Sequence, residues 1–311
     1  MVGVIERVRH GVLNNIWMGV VAALSLASVT AGADSLSIEE TGLPKYRLLR
    51  QFKAPEARQG VAVDGASIYV VGNRVVAEYS KQSLQPKNAV LEFPEEGPII
   101  HFNDGILSEG KLWLSHSNYP GVPMVSSLEV VDPETLQHER SHSFGITDGS
   151  LTWVAPIKGG GWYACFAHYG NRAAMPDRDH FWTRLVRFDA GWRMQESWAF
   201  PRKLVEEKFG KYSSSGGALL DSSWLPEGTP ESFRKAIEAR PHFLITGHDH
   251  TALFLMRLPR AGGVLEWVAT IPFPSEGQAF ALDPHEPGHI YSIHKAKRLV
   301  YHGVIEFVDE E

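Results

Sequence analysis

From Tyr46 onward, apolar runs of roughly four to eight residues alternate with joints rich in Gly, Asp and Pro, the pattern of short strands and tight turns. Gln59–Gly65 (QGVAVDG) and Ser67–Gly72 (SIYVVG) read as a strand, a turn and a second strand. The phrase returns in Gln278–Pro284 (QAFALDP) with His289–His294 (HIYSIH). Further copies are Asn103–Leu107 with Lys111–His116, Ser150–Val154 with Trp162–His168, and Ser215–Leu220 with Phe243–His248. A third strand and usually a fourth follow each pair, as in Ser127–Leu136 then His138–Phe144, or Arg184–Asp189 then Met194–Phe200. Four-stranded units of about 40–60 residues, repeated around a ring, predict an all-β protein of the β-propeller class. Five copies predict five blades, spanning 45–306.

The last copy ends after Leu299–Val304, one strand short. The unassigned run Tyr46–Phe52 is expected to supply the missing outer strand, which closes the ring and removes an exposed edge. The period changes only in 203–240, where Lys203–Lys211 and Glu231–Ala239 have helical composition, the second opened by Thr229 and Pro230. A small helical insertion decorating the rim is expected there, with a degenerate sixth blade as the alternative.

Ahead of the repeats, Arg7, Arg9 and His10 precede an apolar run from Ile16 to Val29 that ends in Thr30–Ala33 (TAGA). A basic flank, a short apolar core and an Ala-x-Ala site read as a signal peptide over 1–33, cleaved to leave Asp34 first. The alternative is an uncleaved anchor, for which the core is short of the roughly 20 residues a span needs. Residues 34–44 read as a linker and 307–311 as an acidic tail, and the protein is expected to be periplasmic or secreted.

Composition narrows the functions. Lys and Arg total 30 against 36 Asp and Glu, a formal charge of −6, which argues against a nucleic-acid partner that must be held through its phosphates. The one cysteine, Cys165, excludes an intramolecular disulfide framework and any Cys-rich zinc module. No membrane partner is expected once the signal segment is removed, and the chain is expected to be a monomer.

Ser127–Leu136 (SLEVVDPETL) resembles the third-to-fourth strand corner of YVTN/NHL-type repeats. The phrases His101–Gly105 (HFNDG), Ser115–Pro120 (SHSNYP), Ser141–Gly145 (SHSFG) and Gly149–Trp153 (GSLTW) resemble a group of secreted bacterial propellers sometimes labelled cycloisomerase-like. The resemblance spans about 45–305 and implies architecture more than chemistry.

Aligning the five copies puts Gly72, His116, His168, His248 and His294 at the end of the second strand. In a propeller this position and the start of the innermost strand open on one face beside the central channel, so four imidazoles are expected to share a funnel. Imidazole is the commonest metal ligand, which makes His116, His168, His248 and His294 candidate ligands of a divalent metal ion of unspecified identity. Glu276, His101 and Asp148 are the candidate catalytic acids and bases. Gln59, Asn103, Asn118, Tyr169, Gln278, Lys295 and Arg298 are candidate substrate contacts, the two cations for a carboxylate. A metal-free polar funnel and blade-packing histidines are the alternatives. The function expected is an exported lyase, isomerase or hydrolase acting on a small polar or sugar-derived molecule. The competing reading is a binding or scaffold propeller for a protein or glycan.

Overall fold

The computed structural model describes residues 43–146 and 149–307. The expectations for 1–33, for most of the 34–44 linker, for Asp148 and for the tail from 308 fall outside the described residues. The first strand, β1 (Lys45–Lys53), is set apart in sequence from its sheet. Blade 1 is β2 (Gly60–Val63), β3 (Ser67–Val71), β4 (Val75–Ser80) and β5 (Pro86–Glu92). Blade 2 is β6 (Phe102–Ser108), β7 (Lys111–Ser117), β8 (Ser126–Val131) and β9 (His138–Gly145). Blade 3 is β10 (Ser150–Pro156), β11 (Trp162–Ala167), β12 (Arg184–Phe188) and β13 (Met194–Ala199). Blade 4 is β14 (Ser214–Leu220), β15 (His242–Gly247), β16 (Ala252–Arg257) and β17 (Glu266–Pro272). Blade 5 is β18 (Phe280–Leu282), β19 (His289–His294) and β20 (Leu299–Glu306), completed by β1.

All ladders between the named strands are antiparallel, and β1 lies along β20 from Lys45 opposite Glu306 to Lys53 opposite Leu299. Each innermost strand touches the next, β2 to β6 to β10 to β14 to β18 and back to β2, so five blades complete the ring. A sixth blade has no place in it.

Alternation along the strands explains the packing. In β3, Ile68 and Val70 face blade 5, while Tyr69 and Val71 face blade 2. The same division recurs around the ring, giving five apolar clusters, each shared by two adjacent blades. Inner strands are covered on both faces and read as continuous apolar runs. The outermost strands β1, β9 and β13 are mostly exposed and polar.

The helical insertion departs from the expectation. It is two separate segments, with β14 between them. A helical turn (Arg202–Leu204) running into a π-type turn (Val205–Phe209) precedes β14, and a helix (Glu231–Ala239) joins β14 to β15. Neither merely decorates the rim. Leu204, Val205 and Phe209 sit in the cluster between blades 3 and 4, and Phe233 and Ile237 in the one between blades 4 and 5. Among the described residues no helix is long and apolar enough to cross a membrane.

Candidate active site

A cavity of about 330 Å³ opens where the innermost strands begin. Every blade supplies a polar residue to it: Gln59, then His101 and Asn103, Thr152, Ser215, and Gln278. Three of these are placed by β-bulges. The ladders shift register between Phe102 and Asp104, between Leu151 and Trp153, and between Ser214 and Gly216, and the residue left over each time is Asn103, Thr152 or Ser215. A bulge turns one extra side chain out of the alternation, here into the channel. His248 and Lys295 enter from the ends of the second strands of blades 4 and 5. Tyr119, Tyr169, Arg172 and Tyr212 enter from loops.

The side chains are held from behind. Asn103 donates both amide hydrogens, to Ser117 Oγ (3.1 Å) and to the carbonyl of Leu151 (2.8 Å), which leaves its Oδ1 for the cavity. Gln59 donates to Asn73 Oδ1 (2.7 Å). Tyr119 packs on Tyr169 with ring centroids 5.0 Å apart, and on the His101 ring at 5.1 Å. His248 stacks on Tyr212 at 4.5 Å and 25°, and Asp249 Oδ2 stands 2.8 Å from His248 Nδ1. The contact is one of charge proximity, since His248 Nδ1 makes no hydrogen bond of acceptable geometry. The turn carrying His248 is fixed by its backbone: His248 N–H donates to the Ser213 carbonyl (3.1 Å) and Asp249 N–H to that of Glu276 (3.2 Å). Gly277, at φ +70°, is obligatory beneath this turn, because a Cβ there would lie 1.8 Å from the Gly247 carbonyl oxygen.

The electrostatics set the two imidazoles apart. Burial, then Lys295 and His116, pull His101 down to about 4, so it is neutral at pH 7. Burial also lowers His248, with Asp249 opposing the shift and Lys295 adding to it. Lys295 is lowered by burial, with Asp249 working to keep it charged. No lining residue is Asp or Glu, so Lys295 and Arg172 give the cavity a positive charge.

Seven of the sequence candidates therefore meet here: Gln59, His101, Asn103, Tyr169, His248, Gln278 and Lys295. The register histidines do not converge as expected. Among the described residues no three of the four bring ligating nitrogens within 4.8 Å of one another. His116 has both nitrogens committed: Nε2 accepts from Ile100 N–H (3.2 Å), and Nδ1 pairs with Ser127 Oγ (2.8 Å), which donates to buried Glu129. His168 is buried beside Gly149 outside the cavity lining. His294 is buried with Nδ1 3.1 Å from Glu276 Oε2 but without a hydrogen bond, and neither residue lines the cavity. Asn118 closes its own loop, accepting from Val125 N–H and donating to the Pro123 carbonyl. Arg298 donates to the Ala57 carbonyl at the ring seam.

The one group of three metal-ligating side chains within that distance, among the described residues, is Glu286, His289 and His302. It lies at the far end of β19 from His294, and Arg50 Nε donates to His302 Nδ1 (3.2 Å). Sequence reasoning missed Thr152, Ser215, Arg172 and Tyr212. Bulges and long loops place them, and neither leaves a periodic signal.

No protein-family model matches the chain, and no curated protein is a significant match to it. Among solved structures, glutaminyl cyclase from Myxococcus xanthus superposes with a TM-score of 0.54 at 11% identity, covering 86% of this chain and 99% of that one. A glucose dehydrogenase reaches 0.46 at 12% identity, covering 85% and 100%. The WD40 propeller domain of Doa1 reaches 0.38 at 10% identity, covering 84% and 97%. At such identities the likeness is one of fold, and the chain is a five-bladed β-propeller.

Proposed function

We propose that the funnel is the active site of an exported enzyme that moves a proton on a small sugar acid, as an isomerase or lyase. The observation that carries this reading is the meeting, in one polar cavity with no carboxylate in its lining, of the His101 and His248 imidazoles with Lys295 and Arg172, His248 having Asp249 beside it. The cations would neutralise the substrate carboxylate. His248 Nε2, with Asp249 beside Nδ1, would remove the hydrogen on the carbon next to that carboxylate. Neutral His101 and Lys295 would stabilise the resulting enolate, an imidazole N–H and an ammonium placed where negative charge grows. Gln59, Asn103 and Gln278 would hold the hydroxyls. Returning the proton to another carbon gives an isomer; delivering it from the protonated His248 to a β-hydroxyl, which leaves as water, gives elimination.

The YVTN/NHL-type likeness of Ser127–Leu136 concerns a blade corner, the turn from β8 to β9, and supports the repeat architecture only. The reading routes no step through a metal ion. Export rests on the 1–33 segment, and N-terminal sequencing of the mature protein should begin near Asp34.

Incubation with a panel of aldonates and uronates, followed by NMR, tests the activity. Turnover of at least one member, reduced about a hundredfold or more in His248→Gln, is expected. Binding of these anions with no turnover of any would make the protein a binding propeller instead.

A further inference from the structure

One residue past the funnel lining, the channel narrows where Gly60, Asp104, Gly216 and Ala279 meet. A Cβ on Gly60 would lie 2.8 Å from Asp104 Oδ1 and 2.9 Å from Ala279 Cβ, and one on Gly216 would lie 2.5 Å from Ala279 Cα. This waist divides the funnel from a second cavity of about 590 Å³, the volume of a small-ligand site. All five innermost strands wall it, with Val63, Ile106, Leu107, Leu219, Phe280 and Leu282 among its apolar lining. Asp104 is its deep polar group. It is 3% exposed, and its one hydrogen bond is from the neighbouring Gly105 N–H to Oδ1 (2.7 Å), which leaves Oδ2 to the cavity. Burial raises its carboxyl well above the usual range. The other titratable groups of the lining, Glu109, Lys158 and Asp221, are exposed and stand at the mouth.

We propose that the second cavity binds a small amphiphilic amine, its ammonium on Asp104 at the waist and its hydrocarbon body along the apolar walls. A carboxyl in such a site is unfavourable when ionised alone. A ligand ammonium supplies the missing partner through a charge-assisted hydrogen bond, and ionisation of Asp104 becomes favourable on binding. The mouth has two carboxylates against one ammonium, so cations are drawn in and anions are not. From Asp104 to Ser108 the strand rises about 13 Å, room for an extended alkyl chain. The site is independent of the sugar-acid reading, since none of its residues lines the funnel.

Calorimetric titration with octylamine, octanol and octanoate tests it. Octylamine should bind at one site per chain, octanoate should not bind, and octanol should bind at least about tenfold more weakly than octylamine. Asp104→Asn should weaken octylamine at least about tenfold with an unchanged circular-dichroism spectrum. In the wild type the affinity should fall as pH drops and Asp104 protonates. Equal binding of octanoate, or unaltered affinity in folded Asp104→Asn, would overturn the proposal. Should that variant fail to fold, an octylamine affinity for the wild type that is flat between pH 8 and pH 4 would overturn it equally.

Discussion

The placing of single charges decides what the funnel can do. Asp249 is the one group named here that makes His248 more basic, so Asp249→Asn should lower the pKa of this base. The acid limb of the rate profile should then move to lower pH, while the maximal rate falls about tenfold or more because the base is weaker. An acid limb that stays in place in kcat measurements would remove His248 from the base role. Lys295 acts oppositely: it depresses His101, and in the proposed reaction it would hold the substrate carboxylate. Lys295→Met should raise KM for a sugar acid about 10–100-fold and shift the His101 imidazole resonances to a higher titration midpoint in NMR. Both residues were legible in sequence, as the residues at and just after the repeat's second-strand end. What separated them from His116 and His294 was not legible: His116 is claimed by Ile100 and Ser127, and His294 is buried outside the cavity lining.

At the scale of elements, the site rests on bulges and on the segment before β14. Sequence showed Asn103 near the start of an innermost strand, yet Thr152 and Ser215 occupy the same bulge in their blades and were hidden, because a register shift depends on the partner strand. The π-type turn Val205–Phe209 has a similar part. Phe209 is buried between blades 3 and 4 and abuts Gly247, one residue before His248, where a Cβ would lie 2.9 Å from its ring. Phe209→Ala should cost about 3–5 kcal/mol in denaturant unfolding. Gly277→Ala should cost about 1–3 kcal/mol through its left-handed backbone, and more through the clash with Gly247. Activity should be lost in Gly277→Ala even where the chain remains folded, since the turn carrying His248 must shift.

For the whole molecule, the fivefold phrase was enough to fix blade number and the way the ring closes, because each blade buries both faces against neighbours and so repeats one apolar alternation. Histidine burial was not visible in that phrase, and it governs the acid response. His101, His116, His242 and His302 are each lowered to about 4, mainly by burial. Their folded values lie below the unfolded one, near 6.5, so the unfolded chain binds more protons as pH falls. Stability should therefore fall from about pH 6.5 toward pH 4, and the lowered carboxyls of Asp132, Asp221, Glu286 and Glu306 continue the fall below that. Asp104 is raised and works in the opposite sense, gaining stability as pH falls, but it is one group against four. Thermal melts should show Tm dropping by several degrees between pH 7 and pH 4.5, and a flat Tm would contradict this distribution of buried imidazoles.

The central claim is that His248 takes a proton from the carbon beside a bound carboxylate. Turnover of a sugar acid in D2O, followed by NMR, tests it most directly. The account predicts that product formed by wild-type protein has lost that carbon's hydrogen and carries solvent deuterium where the enolate or enol is reprotonated, and that incorporation falls about a hundredfold or more in His248→Gln. Product formed without solvent deuterium, or incorporation undiminished in His248→Gln, would contradict it.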